Sequence, residues 1–249
     1  MAQPRIGLQL IVYGQRTRED LLGVLREAAQ AGYAGIEAGN LFASHGEGLV
    51  RDALAGTGLA VAGMHSGYGD QLDPAKVEAN IAYLQGVGSR YYINSGVAQA
   101  EGIAAYEQAA ETFNAVGEKC RQAGLAFCYH NHAWEFEAFD GVKGIHRLAE
   151  LTDPDLVKLC VDVYWVTIGG EEPEEFIARY ADRAVYYHFK DGAPGEFVEL
   201  GQGQVDLVAA RRAALACDPE WIVVEQDSTA KTPRDSIAES LAYLCQIGF

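Results

Sequence analysis

The chain has 249 residues, 49% of them hydrophobic, and carries a formal net charge of −16. This length and apolar content suffice for one globular domain over residues 1–249. The negative charge repels phosphate groups and anionic lipids, which argues against nucleic acid and membrane partners. The N-terminus lacks the basic and apolar regions of a signal peptide, and no apolar run reaches the roughly 18 residues of a membrane span. We therefore expect a cytoplasmic protein.

The five cysteines are scattered along the chain, and most of them lie among apolar or helical-face neighbours. An odd number of cysteines without close spacing is not typical of a disulfide framework, so we expect reduced, buried thiols. Cys128 and Cys160 fall inside apolar runs, where a thiol behaves as a small hydrophobic group. Neither has a CxxC partner that would indicate a thiolate metal site.

Strand and helix patterns alternate along the whole chain. The first helix is predicted to begin at a capping box formed by Thr17 and Asp20 and to end at Gly32. Helical periodicity with proline and glycine boundary signals predicts seven further helices over residues 49–57, 74–87, 103–123, 141–151, 173–180, 205–216 and 233–247. The apolar runs between them predict eight strands over residues 6–13, 33–37, 59–65, 89–95, 125–132, 157–163, 184–190 and 221–226.

Eight strand-helix units in a chain of this length are typical of a (β/α)₈ barrel, whose parallel strands are buried on both faces and are therefore continuously apolar. A doubly wound open sheet is the alternative fold. It is disfavoured because no Gly-x-Gly-x-x-Gly motif follows the first strand, where Gly7 is followed by Leu8 and Gln9. The sequence therefore predicts an α/β protein with a single (β/α)₈ TIM barrel.

The fifth predicted strand carries the densest group of ligand and proton-transfer side chains. Cys128, His130 and His132 alternate along it and so share one face of the sheet. Two core histidines with satisfied hydrogen bonds would also explain this pattern. In a barrel, however, catalytic groups lie at the C-terminal ends of the strands, and the three following strands also end in ionisable residues.

Those three strands carry Asp162, His188 and Glu225. A carboxylate inside an apolar strand costs several kcal/mol unless it is paired or bound to a cation. Together with His130, these residues offer the mixed oxygen and imidazole ligands that suit a divalent ion such as Mn²⁺, Zn²⁺ or Co²⁺, so we predict one metal ion. Each also has a structural interpretation: a buried acceptor for Asp162, a core imidazole for His188, and a salt-bridge partner of Lys190 for Glu225.

Polar residues also end two strands of the first half. His65, in Gly-Met-His-Ser-Gly, is predicted to contact the substrate, although a lone histidine beside a glycine loop is about as often structural. Glu37 ends the second strand and is predicted to contact the substrate or to support the site, with a surface carboxylate as the alternative. The glycine-rich segments 67–69 and 192–203 are predicted to be active-site loops.

At these residues the chain is similar to the sugar phosphate isomerase/epimerase family with the xylose isomerase-like barrel. The matching segments are Tyr-His-Asn-His-Ala-Trp-Glu-Phe at 129–136, Val-Asp-Val-Tyr-Trp at 161–165, His-Phe-Lys-Asp at 188–191, Gly-Gln-Gly-Gln-Val-Asp at 201–206 and Val-Glu-Gln-Asp at 224–227. The first half matches only in its barrel layout and His65. The resemblance implies a divalent metal held by strands five to eight, and acid/base chemistry on a ketose, keto-sugar or related polyol.

Carried onto this sequence, the family's ligand positions fall on Asp162, His188 and Glu225. Many members have a glutamate where this chain has His130, so we take His130 as the fourth ligand. We expect Glu135, just beyond the strand, to supply the missing carboxylate function. The reverse assignment, with Glu135 as the ligand, stays open.

The implied reaction is isomerisation or epimerisation through an enediolate, which needs a base, a metal and an acid. Glu225 and Glu135 would move the protons, in either order. His132 and Lys190 would bind hydroxyl or enolate oxygens, and Trp165 would form an apolar platform for the sugar.

The same groups would serve a lyase or hydratase acting on a 3-keto-sugar or glycoside, and the sequence does not separate these reactions. A metal-dependent endonuclease on the same barrel is disfavoured by the net charge of −16. A non-catalytic sugar-binding barrel is disfavoured because binding alone does not require so many convergent ionisable groups. The expected partner is a small sugar, and a homo-oligomer is left open.

Overall fold

The computed structural model describes residues 3–249. Eight parallel strands close into a barrel in which chain order and spatial order agree, so that the first strand pairs with the second and with the eighth. The predicted (β/α)₈ barrel is therefore confirmed. Numbered one to eight, the strands are Arg5–Gln9, Gly35–Ala38, Ala60–Gly67, Tyr91–Ser95, Ala126–His130, Val157–Asp162, Ala184–Phe189 and Trp221–Val224.

A helix follows each strand and covers the outside of the barrel. These helices are Leu21–Ala31, Glu47–Thr57, Pro74–Val87, Ala104–Gln122, Gly144–Leu151, Pro173–Arg179, Leu207–Ala216 and Pro233–Gln246. Two of them begin with a proline in the first turn and a side-chain cap, Asp73 and Thr232 respectively. Within residues 3–249, none of the helices combines the length and the hydropathy needed to cross a bilayer.

Short elements fill the connections that leave the C-terminal ends of the strands. They are the helices Arg16–Glu19, Leu41–His45, Tyr68–Gln71 and Val163–Ile168, the 3₁₀ turns Leu10–Tyr13 and Trp134–Phe136, and two antiparallel ribbons, Ala138–Phe139 with Val142–Lys143 and Asp191–Ala193 with Glu196–Val198. This face of the barrel is the one on which such folds build their sites.

Several predicted strands are longer than the observed ones, and two of them show the reason. The apolar run 6–13 is interrupted at Gln9, whose side chain accepts a hydrogen bond from the Ile11 N–H and turns the chain into the 3₁₀ helix Leu10–Tyr13. Strand five ends at His130 rather than at residue 132. In both cases an apolar or alternating pattern continues past the point at which backbone pairing stops.

Two predicted helix starts are also wrong. Thr17 does not cap the first helix, because its hydroxyl donates to the carbonyl of Leu10. Asp20 is the cap instead and accepts a hydrogen bond from the Gly23 N–H. The helix predicted over 141–151 begins at Gly144, after the first ribbon.

The hydrophobic core has two layers. A small layer fills the inside of the barrel and consists of Ala62, Tyr91, Ile93, Cys128, Cys160, Tyr186, Trp221 and Val223. A larger layer lies between the strands and the helices. Each large apolar side chain buried in this way contributes about 1.5–3 kcal/mol. All five cysteines are free thiols, and three of them are buried as predicted, whereas Cys245 is exposed.

Candidate active site

Near the C-terminal end of each strand lies an inward-facing polar residue, and together these residues form a ring above the inner core. Strand side chains alternate between faces, so His130 and Asp162 lie one layer above Cys128 and Cys160 of that core. The ring, which we call the polar ring, consists of Gln9, Glu37, His65, Ser95, His130, Asp162, His188 and Glu225, in strand order.

Four neighbouring members of the polar ring bring one ligand atom each to a common point. The atoms come from His130, Asp162, His188 and Glu225, and they all lie within 4.8 Å of one another. None of these residues is more than 5% exposed. The fold therefore brings together the four residues predicted as metal ligands. We call them the ligand cluster.

Atoms of the ligand cluster lack the hydrogen bonds that buried polar atoms normally make. Both ring nitrogens of His130, Oδ2 of Asp162, Nδ1 of His188 and Oε2 of Glu225 have no hydrogen-bond partner among residues 3–249. The last two atoms are only 2.6 Å apart but do not have the geometry of a hydrogen bond, as expected for two atoms directed at one ion. A bound cation would offset the cost of leaving these atoms unpaired, so the donor set fits a divalent metal.

Asp162 is oriented by the helix that follows it. Its Oδ1 accepts a hydrogen bond of 2.9 Å from the Trp165 N–H at the start of that helix, which leaves Oδ2 for the ligand cluster. The side chain of Asn131 forms two hydrogen bonds with the backbone of Asp162, at 3.1 and 3.2 Å, and so ties the ends of strands five and six together. Burial raises the pKa of Asp162 to about 6.

His188 is oriented by Glu37. Its Nε2–H donates to Glu37 Oε2 at 2.8 Å, which directs Nδ1 towards the ligand cluster. A carboxylate behind a histidine in this way is the usual arrangement for a metal-binding imidazole. Glu37 is fully buried, and its other oxygen bonds to His65. Burial alone would raise the pKa of Glu37, but His188 and His65 outweigh it and lower the pKa to about 2.

Glu225 is oriented by Lys190. The ammonium group donates to Glu225 Oε1 at 3.2 Å and to Asp227 Oδ2 at 2.6 Å, and it lies 4.8 Å from the ring centroid of Trp165. Lys190 is 0% exposed. Burial would lower the pKa of this lysine, but the carboxylates of Glu225, Asp162 and Asp227 raise it, so the side chain stays cationic.

His132 and two tryptophans form an aromatic wall beside the ligand cluster. The His132 ring stacks on Trp134 with centroids 3.9 Å apart and lies 5.6 Å from Trp165. Burial and the neighbouring His130 lower the pKa of His132 to about 2, so its imidazole is neutral. Trp134 is 46% exposed, which makes it the solvent-facing edge of this wall.

Glu135 is held away from the polar ring. Its Oε1 accepts a hydrogen bond of 2.6 Å from the hydroxyl of Tyr129, and its Oε2 accepts one of 2.7 Å from the His132 N–H. Tyr129 belongs to the outer core, on the opposite face of strand five from His130. Both oxygens therefore anchor the loop, and we do not assign proton transfer to Glu135.

His65 joins the ligand cluster to strand four. Its Nδ1 lies 3.1 Å from Glu37 Oε1, its Nε2 lies 2.6 Å from Ser95 Oγ, and its ring centroid lies 5.1 Å from that of His130. The side chain is 18% exposed. The predicted substrate contact is thus at the site, with both ring nitrogens already hydrogen-bonded to side chains.

Five residues that shape the site were given no role from the sequence, namely Ser95, Asn131, Trp134, Asp191 and Asp227, although all but Ser95 lie in the segments that match the family. Asp227 follows Glu225 by two residues, so the alternation of a strand would have indicated it. Asn131 and Ser95 carry no such local signal, because their roles depend on residues of neighbouring strands.

Residues 25–247 match the family described as xylose isomerase-like TIM barrel. An inosose dehydratase from Geobacillus kaustophilus (strain HTA426) is 27% identical over 247 residues, which cover 82% of this chain and 79% of that protein. A sugar phosphate isomerase/epimerase from Parabacteroides distasonis superposes with a TM-score of 0.84 at 21% identity, covering 98% of this chain and 94% of that one. A 3-keto-D-glucoside 4-epimerase from E. coli superposes with a TM-score of 0.77 at 17% identity, covering 98% of this chain and 100% of that one. At such identities the two structures establish the shared fold.

Proposed function

The chain belongs to the xylose isomerase-like TIM barrel family, and from this premise we propose that it is a metal-dependent enzyme. It removes a proton from the carbon next to the carbonyl of a keto-sugar or keto-polyol. The observation that carries the proposal is the ligand cluster, whose unpaired atoms converge at the C-terminal end of the barrel. A divalent ion such as Mn²⁺, Zn²⁺ or Co²⁺, held by these four residues, would supply stabilisation of the negative charge on an enediolate.

Glu225 is the proposed base. Burial alone would raise the pKa of its carboxyl group, but His188 and Lys190 outweigh burial and lower the pKa well below its usual range, so the group is ionised. Lys190 donates to Oε1 and Oε2 belongs to the ligand cluster, so with a metal held at Oε2 the proton would be taken up at Oε1. A carboxylate fixed in this way meets the first requirement of a general base, which is position.

The remaining predicted site residues have supporting roles in this proposal. Glu37 orients His188 and does not touch the substrate. Lys190 acts through Glu225, since its ammonium group is buried between two carboxylates. His132 and Trp165 line the space next to the ligand cluster and would contact the sugar, the imidazole through a hydrogen bond and the indole through its face.

We propose dehydration as the outcome, because the relative that aligns with 82% of this chain is an inosose dehydratase. In such a dehydration the C–H bond next to the carbonyl breaks and its proton goes to Glu225. The electron pair forms a carbon–carbon double bond, and the hydroxyl group on the next carbon leaves as water with the proton returned by Glu225, which restores the carboxylate.

Isomerisation or epimerisation is the second candidate. It is favoured by the neutral imidazole of His132, which lies beside the ligand cluster with its Nδ1 unpaired among the residues that the structure describes. This ring is a second group that can exchange a proton with a substrate carbon or oxygen. Returning the proton from a different side would give an epimer instead of an alkene.

A product screen tests the proposal. The protein is loaded with Mn²⁺, Zn²⁺ or Co²⁺ and incubated in D₂O with inosose, ketoses and 3-keto-glycosides, and the small-molecule filtrate is examined by NMR. Dehydration gives a product that has lost water, whereas epimerisation gives deuterium next to the carbonyl with every hydroxyl retained. Metal-free protein and Asp162→Ala are the controls. Neither product nor deuterium exchange with any of these compounds would contradict the proposal.

A further inference from the structure

We propose that Ser95 recognises one hydroxyl group of the substrate, acting as a hydrogen-bond acceptor on the wall of the barrel that faces Glu225. The identity of the substrate in this inference rests on the proposed function. The orientation of Ser95 does not, because it follows from hydrogen bonds within the chain.

Ser95 lies across the barrel from the proposed base. It ends strand four, whereas Glu225 follows strand eight, and the two strands are half the barrel apart. Ser95 pairs in register with His130, which places it at the height of the ligand cluster. The residue is partly exposed. A substrate bound at the ligand cluster would therefore lie between Glu225 and Ser95.

A chain of hydrogen bonds fixes which way the Ser95 hydroxyl points. The two side-chain oxygens of Glu37 each lie at hydrogen-bond distance from one histidine nitrogen, and a carboxylate oxygen accepts, so the His65 nitrogen at 3.1 Å, Nδ1, is the protonated one. In a neutral imidazole the other nitrogen, Nε2, is then an acceptor, and it lies 2.6 Å from Ser95 Oγ. The proton of the serine hydroxyl is therefore directed at His65.

The consequence is that Ser95 presents lone pairs, and no proton, to the interior of the polar ring. A substrate hydroxyl can donate to such an oxygen, whereas a carbonyl, an ether oxygen or fluorine cannot. Glu37 also accepts a hydrogen bond from His188, so one carboxylate helps to position both the ligand cluster and, through His65, the serine. This arrangement selects for a hydroxyl at a defined position relative to the carbonyl bound at the ligand cluster.

Kinetics with altered substrates test the contact. For the inosose or keto-sugar identified by the product screen, Ser95→Ala should lower kcat/KM by about tenfold, mainly through KM, as expected for one neutral hydrogen bond. Ser95→Thr keeps the hydroxyl and should restore most of the loss. Ser66→Ala is the matched control, because the Ser66 hydroxyl donates to the Ile93 carbonyl and is one residue away from His65 on the same strand.

Monodeoxy and monodeoxyfluoro analogues of the same compound locate the recognised hydroxyl. At one position, replacing the hydroxyl by hydrogen or by fluorine should lower the kcat/KM of the wild type by about the same factor as Ser95→Ala does. The same replacements should not lower the kcat/KM of Ser95→Ala any further. If each analogue lowers kcat/KM by the same factor in the wild type and in Ser95→Ala, whichever hydroxyl is replaced, the proposal is overturned. A fluoro analogue that retains full activity at the position sensitive to deoxygenation would also overturn it, since the serine would then be a donor.

Histidine ¹⁵N NMR tests the orientation without any turnover. Metal-free protein should show His65, assigned with His65→Asn, protonated at Nδ1, with an Nε2 resonance that moves in Ser95→Ala. A His65 ring that carries a proton on Nε2, alone or in addition to Nδ1, would refute the inference. If the wild type converts none of the tested compounds, the proposed function fails, and the NMR result alone then decides whether Ser95 is oriented as described.

Discussion

At the scale of single residues, the candidate metal site depends on neighbours that orient most of its side chains. Three of the four proposed ligands have one atom held by a neighbour, so that the other atom faces the ligand cluster: Asp162 by the Trp165 N–H, His188 by Glu37, and Glu225 by Lys190. Support of this kind sets the direction of a ligand before the metal binds. His130 differs, because neither of its ring nitrogens has such a partner within residues 3–249.

The loop anchor Glu135 should make stability depend on pH. Burial raises the pKa of Glu135 from 4.5 to about 7, so the folded protein binds this proton more tightly than the unfolded chain does. The stabilisation is fully present below pH 4.5 and is lost as the pH rises through about 7. Over the full pH range, the free energy of unfolding should fall by about 3 kcal/mol because of Glu135. In urea unfolding experiments, the free energy of unfolding should decline less with rising pH in Glu135→Gln than in the wild type.

The same variant decides the role of Glu135. The exposed Glu137→Gln is the matched control for the unfolding series. Because both oxygens of Glu135 accept hydrogen bonds, from the Tyr129 hydroxyl and the His132 N–H, we expect turnover per folded molecule to change by less than about tenfold in Glu135→Gln. A loss of about 10² or more at a constant folded fraction would restore the sequence-based prediction that Glu135 is a catalytic acid or base.

At the scale of elements, the segment after strand seven is organised by a buried carboxylate. Asp191 accepts four backbone hydrogen bonds of 2.9–3.1 Å, from Gly192, Gly201, Gly203 and Val205. A Cβ atom on Gly203 would lie 2.1 Å from the Asp191 carboxylate, so the loop needs glycine there for its close approach. Lys190 precedes this carboxylate, and Phe197, 4.5 Å from the Lys190 ammonium, lies inside the loop.

Asp191→Ala should loosen this loop without unfolding the barrel. Four N–H groups would lose their acceptor, at a cost of about 1–3 kcal/mol for each one that stays buried and unpaired. We expect faster amide hydrogen exchange over residues 191–205 and a lower kcat, with unchanged exchange in the strands. Asp206→Ala is the matched control, because Asp206 caps only the next helix. Unchanged exchange over residues 191–205 in Asp191→Ala would show that the four hydrogen bonds do not hold the loop.

The order of elements could be read from the sequence because periodicity and helix boundary signals are local properties. The strand after Arg5 was extended through Tyr13 because an apolar 3₁₀ turn has no pattern that distinguishes it from a strand. The residues of the ligand cluster were also predictable, since each is a charged or imidazole group that ends an apolar run.

The contacts that orient those residues could not be predicted in the same way. Ser95 bonds to His65, which is 30 residues earlier, and Asn131 bonds to Asp162, which is 31 residues later. Such pairs are defined by strand register, which a local pattern does not encode. Glu135 was predicted to face the site because it is near His130 in sequence, but the turn after strand five directs it towards Tyr129.

At the scale of the whole molecule, the polar ring divides into two halves. Strands five to eight provide the ligand cluster, and strands two to four provide the hydrogen-bonded series Glu37, His65 and Ser95. Glu37 connects the halves through His188. The metal chemistry and the recognition of the substrate are thus assigned to opposite walls of one barrel.

A metal bound to residues from four strands should stabilise the entire barrel. A ligand that binds only the folded state at about 100 times its dissociation constant adds about 2.7 kcal/mol. We expect thermal melts of the wild type to shift upward on addition of Mn²⁺, Zn²⁺ or Co²⁺ and downward with a chelator. Asp162→Ala should lose this response, and His45→Ala, outside the ligand cluster, should keep it. A wild-type melting temperature that is insensitive to all three ions would contradict the metal site.

The most direct test of the proposed chemistry follows one hydrogen atom. Inosose and related keto-sugars are labelled with deuterium on the carbon next to the carbonyl, and release of the label to water is measured by mass spectrometry. Metal-loaded wild type should release it whether the reaction ends in dehydration or in epimerisation, whereas chelator-treated protein and Glu225→Gln should be slower by about 10² or more. Retention of the label by metal-loaded wild type, or release at the same rate without metal or without the Glu225 carboxylate, would contradict proton abstraction at this site.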